Sequence, residues 1–307
     1  MMKSGLAGVF PVLATPFHPD GSPDEDGLRA IVRYVIASGA DGVVFPGVAS
    51  EFETLTSAER DRLSDLVAEE ARGKAAFVVG ASAPEAAVSE AVARRASRQG
   101  AAAIMVMAPK SITETGAVTA FFARIAQVAG DVAIVLQNAP PPAGSGLPVE
   151  VVGEVVRAVR QIAYVKEEAM PSGARITRMR QLAPPSLRGV FGGAGGRYIT
   201  DELARGAVGT MPACELAEVH VALMRAHRAG DRAQVRHLFN RMLPVLNFQA
   251  VFRMAMTKET LRRRGIIAHA GKRAAGPDLD AGDHRELAEL LADVRDLLNP
   301  PVLADHA

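Results

Sequence analysis

The sequence predicts a (β/α)8 (TIM) barrel, and three observations support this prediction. Short apolar runs alternate with amphipathic stretches over about the first 230 residues. The runs are apolar throughout, which is typical of parallel strands buried on both faces. The rival fold, a doubly wound open sheet, would place a glycine-rich phosphate turn after the first strand, and the turn Ala14–Phe17 has no glycine.

The apolar runs and the stretches between them give the predicted elements in order. Strands are predicted at 8–14, 41–46, 76–81, 102–107, 132–137, 162–166, 188–192 and 206–211. Helices are predicted at 25–38, 57–71, 84–99, 116–129, 148–160, 173–182 and 197–205. In the first helix Leu28, Ile31 and Val35 follow helical spacing, and Ser57 is placed as the N-cap of the second. Eight such repeats are the pattern of a closed barrel.

After about residue 230 the strand pattern stops and only helical patterns remain. Helices are predicted at 231–244, 247–265 and 284–298, with a glycine- and proline-containing linker over 271–282. The prediction is therefore a barrel domain at 1–230 that carries the active site, followed by a helical appendage at 231–307.

Composition excludes several classes of protein. The net charge of +1 offers no basic surface for nucleic acid or membrane lipid. No apolar run reaches the roughly 18 residues that span a bilayer. The single cysteine, Cys214, excludes internal disulfides and indicates a reduced, cytoplasmic setting. No histidine pair follows a strand end at metal-ligand spacing, so we expect no metal cofactor.

The most informative stretch is 161–168, where an apolar run ends in a lone lysine, Lys166, flanked by carboxylates. An ammonium group at the end of a buried strand is costly unless it is used or paired. One interpretation is an amine nucleophile that forms a Schiff base with a carbonyl substrate. The other is a lysine paired with Glu167 or Glu168.

In parallel barrels the chemistry lies where strands end, so the residues at these positions are the candidate site. The candidate site residues are Gly47, Val48, Ala49, Ser50 and Glu51 after the second strand, Gln137 and Asn138 at the fifth, Tyr164, Lys166 and Glu168 at the sixth, Gly193 at the seventh, and Gly209 at the eighth.

These motifs resemble the family of dihydrodipicolinate synthase and N-acetylneuraminate lyase, class I aldolase-type enzymes, over nearly the whole chain. The resemblance implies that the loop 47–51, which corresponds to a Gly-x-x-Gly-Glu motif with Ser50 in place of the second glycine, binds the carboxylate of a 2-oxo acid. It implies that Lys166 is the Schiff-base lysine and that Gly193 borders the site. Members of the family are commonly tetramers, so a homo-oligomer, tetramer or dimer, is expected.

The sequence also departs from the family pattern. The Tyr-Asn-x-Pro motif after the fifth strand reads Gln137-Asn138-Ala139-Pro140, so the tyrosine that relays protons is missing. No arginine follows in the stretch 141–144, which disfavours lysine biosynthesis. The Gln-Asn-Ala-Pro and Tyr-x-Lys-x-Glu patterns resemble a narrower group, the 2-keto-3-deoxy-sugar-acid dehydratases such as L-2-keto-3-deoxyarabonate dehydratase.

The chemistry follows from a free amine in an apolar barrel mouth, where burial favours the neutral form. Its iminium with a ketone allows either loss of a C3 proton or cleavage of the C3–C4 bond. Tyr164 lies on the same strand face as Lys166, and it either replaces the missing tyrosine or fills the barrel. Glu168 is either an acid at the barrel mouth that transfers protons or a carboxylate in an ion pair. Gln137 is expected to form a hydrogen bond with the substrate or with water.

The predicted function is a Schiff-base-forming lyase, a dehydratase or an aldolase, acting on a small-molecule 2-oxo acid, with a 2-keto-3-deoxy sugar acid as the first choice. One alternative is a pyruvate-condensing enzyme of the 4-hydroxy-tetrahydrodipicolinate synthase type. Another is a catalytically weak 2-oxo-acid binding protein, because the relay tyrosine is absent.

Overall fold

The structure, a computed structural model that describes residues 5–299, is a barrel of eight parallel strands. The strands are β1 Gly8–Val9, β2 Gly42–Phe45, β3 Ala76–Gly80, β4 Ala103–Val106, β5 Ala133–Asn138, β6 Ile162–Glu167, β7 Gly189–Gly192 and β8 Gly209–Thr210. Each strand from β2 to β7 pairs with its successor in the chain, and β8 pairs with β1. Hydrogen bonds from Leu13 N to Val44 O (3.0 Å) and from Val44 N to Pro11 O (2.9 Å) close the ring. The predicted fold is confirmed.

In the described part of the chain, eight helices cover the outside of the barrel. They are α1 Glu25–Ala37, α2 Ser57–Ala71, α3 Ala86–Ala96, α4 Thr115–Ala129, α5 Val149–Ala158, α6 Ser172–Leu182, α7 Ile199–Ala204 and α8 Ala217–Arg228. The sequence reading did not place α8. The N-cap of α2 is Thr56 rather than Ser57, because the Thr56 hydroxyl accepts from Glu59 N (3.2 Å) and the Glu59 carboxylate accepts from Thr56 N (2.8 Å).

Side chains of each strand divide between two cores, as the uninterrupted apolar runs predict. One set fills the barrel interior, and the other packs between strands and helices. On β6 Tyr164 belongs to the interior cluster and Val165 to the outer one. Because strand side chains alternate, Lys166 points inward like Tyr164, and Glu167 points outward.

The C-terminal part contains α9 Arg232–Phe252, α10 Met254–Arg263 and α11 Ala281–Asp293. The predicted break near 245 is wrong, because α9 continues through Pro244 and ends only at Phe252. Within residues 5–299, no helix combines the length and the apolar character that a bilayer crossing needs. The division at 230/231 stays a prediction, and its outer ends, 1–4 and 300–307, lie outside the described residues.

Candidate active site

Lys166 lies near the carboxyl end of β6, and its side chain is only 4% exposed. It lines a cavity of about 400 Å³ that opens at the carboxyl ends of the strands. Val48 and Ala49 from the loop after β2 and Met211 after β8 line the same cavity. The amine therefore has space beside it for a small ligand.

The amine of Lys166 forms an ion pair with Glu168, with Nζ 3.1 Å from Oε1. The Glu168 carboxylate also accepts hydrogen bonds from Gln137 Nε2 (2.7 Å) and Ala194 N (3.1 Å). Burial alone would raise the pKa of Glu168, but Lys166 and the two donors outweigh it and lower that pKa. The sequence offered two possible partners for Lys166, and Glu168 is the one that pairs with it. Glu167 instead forms an ion pair with Arg175, with Oε1 3.2 Å from Nε.

Gly193 gives Glu168 the space to reach the lysine. A Cβ added at Gly193 would lie 2.5 Å from both Cγ and Oε1 of Glu168. Any side chain at this position would therefore displace the carboxylate from Lys166. Gly193 borders the site through this steric effect.

Tyr164 lines a different cavity from Lys166, so its contacts favour the barrel-filling alternative over the proton relay, which stays a prediction. Its hydroxyl accepts a hydrogen bond from Leu6 N at 2.7 Å. It lines a separate cavity together with Leu6, Ala133 and Arg188, which all lie at the amino ends of strands. The side chain thus fills the barrel interior, against Phe191, and extends away from the Lys166 amine.

The loop after β2 presents only part of its predicted binding set to the cavity. Val48 and Ala49 line it, whereas Gly47, Ser50 and Glu51 do not. The Ser50 hydroxyl accepts from Gly47 N at 2.9 Å and donates to Leu13 O, so it shapes the turn. The substrate contacts predicted for these three residues stay predictions, and the cavity lining does not support them.

Glu51 instead forms a buried ion pair with Lys258 of α10. Its other carboxylate oxygen accepts from Arg273 N (2.7 Å) and Ala274 N (2.5 Å). Burial lowers the pKa of Lys258 to about 8, although Glu51 opposes this shift. The pair ties the cavity loop to the C-terminal segment.

Replacing Lys258 with methionine is expected to lower the free energy of unfolding by about 3–5 kcal/mol, because Glu51 would keep a buried charge without its cation. The midpoint of urea unfolding measures this loss. The double variant Lys258→Met, Glu51→Gln removes both charges and should recover a large part of the stability. A single variant within about 1 kcal/mol of the wild type would contradict the role assigned to this pair.

Asn138 and Gly209 have structural positions rather than contacts with the cavity. The Asn138 side chain donates to Leu147 O (3.0 Å) and accepts from Leu147 N (2.9 Å), which fixes the end of the loop after β5. A Cβ at Gly209 would lie 2.0 Å from Gly8 O, so glycine allows β1 and β8 to approach. Neither residue lines the cavity, so these contacts do not support their predicted substrate-binding role, which stays a prediction.

Sequence reasoning missed one wall of the cavity. This wall is formed by Met170 and by Arg197, Tyr198, Gln249, Arg253 and Met254. Three of these residues come from the junction of α9 and α10, whose position depends on where α9 ends.

Among residues 5–299, no group of three or more His, Cys, Asp or Glu side chains could hold a metal ion.

Glu202 of α7 is a buried carboxyl group next to the site. Its Oε1 accepts a hydrogen bond from the Ser172 hydroxyl at 2.7 Å, and Oε2 has no partner within the described residues. Burial raises the pKa of Glu202 to about 7, with a smaller contribution from Glu168. The group is therefore held largely protonated at acidic pH.

Replacing Glu202 with glutamine is expected to stabilise the protein at pH 8 but not at pH 4. Between the ordinary value of 4.5 and about 7 the unfolded state loses the Glu202 proton and the folded state keeps it, so native stability falls as pH rises. The variant escapes this loss, and its advantage should grow to about 3 kcal/mol above pH 7. Urea unfolding at several pH values measures it, and an advantage that does not change with pH would contradict the assignment.

Comparison with known proteins gives the family of the chain. The dihydrodipicolinate synthetase family matches residues 5–292. The chain is 28% identical to L-2-keto-3-deoxyarabonate dehydratase from Azospirillum brasilense over 301 residues, which cover 96% of each protein. It is 33% identical to 4-hydroxy-tetrahydrodipicolinate synthase from Acidobacterium capsulatum over 249 residues, which cover 78% of this chain and 80% of the synthase.

Solved structures agree with this result. Dihydrodipicolinate synthase from Rhodopseudomonas palustris superposes with a TM-score of 0.87 at 27% identity, covering 94% of this chain and 97% of that one. Sialic acid aldolase from Ruminococcus gnavus shares the fold, with a TM-score of 0.86 at 20% identity over 96% and 99% of the two chains. The chain therefore belongs to the dihydrodipicolinate synthetase family, the class of lyases and aldolases that its strand-end motifs predict.

Proposed function

We propose that the protein is a Schiff-base lyase that removes water from a 2-keto-3-deoxy sugar acid. The observation that carries this proposal is the contact between Lys166 Nζ and the Glu168 carboxylate at 3.1 Å, on the wall of a cavity. This carboxylate, held by Gln137, is an ionisable group at the amine in a chain that lacks the relay tyrosine.

Glu168 first serves as the base that frees the amine. Its carboxylate accepts a proton from the Lys166 ammonium, and the nitrogen lone pair then attacks the C2 carbonyl carbon of the substrate. The C2–O π bond breaks as the C2–N bond forms, and the oxygen takes a proton from the newly bonded nitrogen. The Glu168 carboxylic acid then returns its proton to this hydroxyl, which leaves as water and gives the iminium.

Dehydration follows from the electron demand of the iminium. The Glu168 carboxylate, restored in that step, removes a C3 proton, and the electrons of the C3–H bond form the C2–C3 double bond of an enamine. These electrons then expel the C4 hydroxyl, which leaves as water after it takes the proton from the Glu168 carboxylic acid. Hydrolysis of the resulting imine releases the product and restores Lys166. Gln137 does not ionise, and its amide orients Glu168 through these steps.

The substrate carboxylate is expected against the loop of Val48 and Ala49. These residues line the cavity and form the first positions of a short 3-10 helix, where amides lack earlier carbonyl partners within the helix. Their side chains offer no hydroxyl groups, so the contacts would come from the backbone.

A second candidate function is condensation of pyruvate by a synthase-type reaction, which the similarity to the Acidobacterium capsulatum enzyme favours. Dehydration is the first choice because the stretch after β5, Pro140 to Gly144, supplies no arginine for a second substrate's carboxylate. The similarity to the Azospirillum brasilense dehydratase also extends over 96% of both chains.

The test is a product analysis with 2-keto-3-deoxy acids of five and six carbons. Mass spectrometry of the products separates loss of one water from release of pyruvate and an aldehyde. Water loss supports the proposal, and pyruvate release or condensation would replace it with the aldolase or synthase reaction. Thermal stabilisation by the acids without any turnover would indicate a binding protein.

A further inference from the structure

Two arginines add positive charge to the cavity of Lys166. Arg197 and Arg253 both line it, and Glu168 is the one acidic residue in the lining that the structure describes. Because Lys166 and Glu168 form a pair, the two guanidinium groups are not balanced by a carboxylate of the cavity wall. The cavity wall at these two arginines is therefore cationic.

Arg197 is fixed by the same loop that holds Glu168. Its Nε donates to Ala194 O at 3.0 Å, while Ala194 N donates to Glu168. Its guanidinium carbon also lies 5.8 Å from the ring centroid of Tyr198, which lines the cavity as well. The terminal nitrogens of Arg197 have no hydrogen-bond partner within residues 5–299, and they remain available to a ligand.

Arg253 stands at a strained backbone position. It separates α9 from α10 with φ 48° and ψ −117°, a conformation that favours glycine. Its side chain, like the terminal nitrogens of Arg197, makes no ion pair or hydrogen bond in the described part of the chain. Strain of this kind concentrates at ligand sites, and here it brings a guanidinium group to the cavity wall where glycine would be unstrained.

We propose that Arg197 and Arg253 form a subsite for a second anionic group of the substrate. This inference rests on the proposed function and narrows its substrate to 2-oxo acids that carry a carboxylate or a phosphate ester at the end distant from the ketone. The planar guanidinium fork matches both groups. This subsite differs in position from the arginine that the family places after the fifth strand, because this chain has no arginine there.

The experiment compares two acids of equal length, 2-oxoglutarate and 2-oxopentanoate, which differ by a carboxylate in place of a methyl group. Each is incubated with the enzyme and borohydride, and the fraction of protein with reduced adduct is measured against concentration. We expect half-maximal trapping at about 10- to 100-fold lower concentration of 2-oxoglutarate, because two charged hydrogen-bond donors meet its distal carboxylate.

The variants Arg197→Gln and Arg253→Gly should each reduce this preference by about tenfold. Glycine at 253 relieves the backbone strain, so loss of the preference there would not reflect misfolding. Arg232→Gln is the matched control, because Arg232 is exposed at the start of α9, outside the cavity. This variant should prefer 2-oxoglutarate to the same degree as the wild type. Equal trapping of the two acids by the wild type, or an undiminished preference in both variants, would overturn the subsite.

Two further arms complete the test. Inorganic phosphate and glutarate are added as competitors that reduce trapping of 2-oxoglutarate. Stronger competition by phosphate indicates that the subsite binds a phosphate ester, and stronger competition by glutarate indicates that it binds a carboxylate. If neither compound reduces trapping, the subsite is overturned. If pyruvate and both acids give no adduct, the proposed function fails separately. Thermal stabilisation by the two acids then decides the subsite, and equal stabilisation overturns it.

Discussion

Lys166→Ala is expected to abolish turnover of the 2-oxo acid substrate, with kcat lowered by at least about 10⁴-fold. The variant removes the nucleophile of the proposed mechanism, and among residues 5–299 no other residue that lines the cavity supplies an amine. Steady-state kinetics with the substrate identified by product analysis measures the loss. Lys74→Ala is the control, because its side chain is 57% exposed and lies away from the cavity.

An alanine variant that retains more than about a hundredth of the wild-type kcat would contradict the role of Lys166. Circular dichroism and urea unfolding of the variant show whether it folds. Removal of the lysine leaves Glu168 with its two other donors, Gln137 and Ala194 N, so the fold is expected to persist.

Glu168→Gln is expected to lower kcat by about 10²- to 10⁴-fold, the usual contribution of a positioned acid or base. Glutamine has the same size and can accept from Ala194 N, but it cannot take a proton from the Lys166 ammonium. The rate of borohydride trapping should fall as well, while the final extent of trapping reaches that of the wild type. These two quantities separate slow proton transfer from loss of the nucleophile.

The matched control is Glu53→Gln, because the Glu53 side chain is 62% exposed and does not line the Lys166 cavity. Its kcat should equal that of the wild type. If Glu168→Gln lowers kcat by less than about threefold, Glu168 is only an ion-pair partner of Lys166, and another group transfers the proton.

The sequence was most informative where a local pattern determines the structure. The uninterrupted apolar runs predicted the barrel, because a strand buried on both faces cannot alternate with polar residues. The period of two along β6 placed Lys166 on the interior face, and the position of the strand end placed it at the cavity. The pairing with Glu168 was one of two open alternatives, since both carboxylates follow the lysine in the chain.

The sequence was least informative where long-range packing decides. The direction of the Tyr164 ring depends on its bond with Leu6 N, which comes 158 residues earlier. The structural role of Glu51 depends on its ion pair with Lys258, which comes from a helix far along the chain. The cavity wall at Arg253 depends on α9 continuing through Pro244, where local propensity favoured a break. Association into a tetramer or dimer and a cytoplasmic location stay predictions.

The most direct test of the central claim is the mass of the peptide that contains Lys166 after borohydride reduction with pyruvate. The account predicts that this peptide gains the mass of one reduced pyruvate adduct, and that no other lysine peptide does. An adduct on another lysine, or a fully unmodified Lys166 peptide after reaction with substrates that the enzyme turns over, would contradict it.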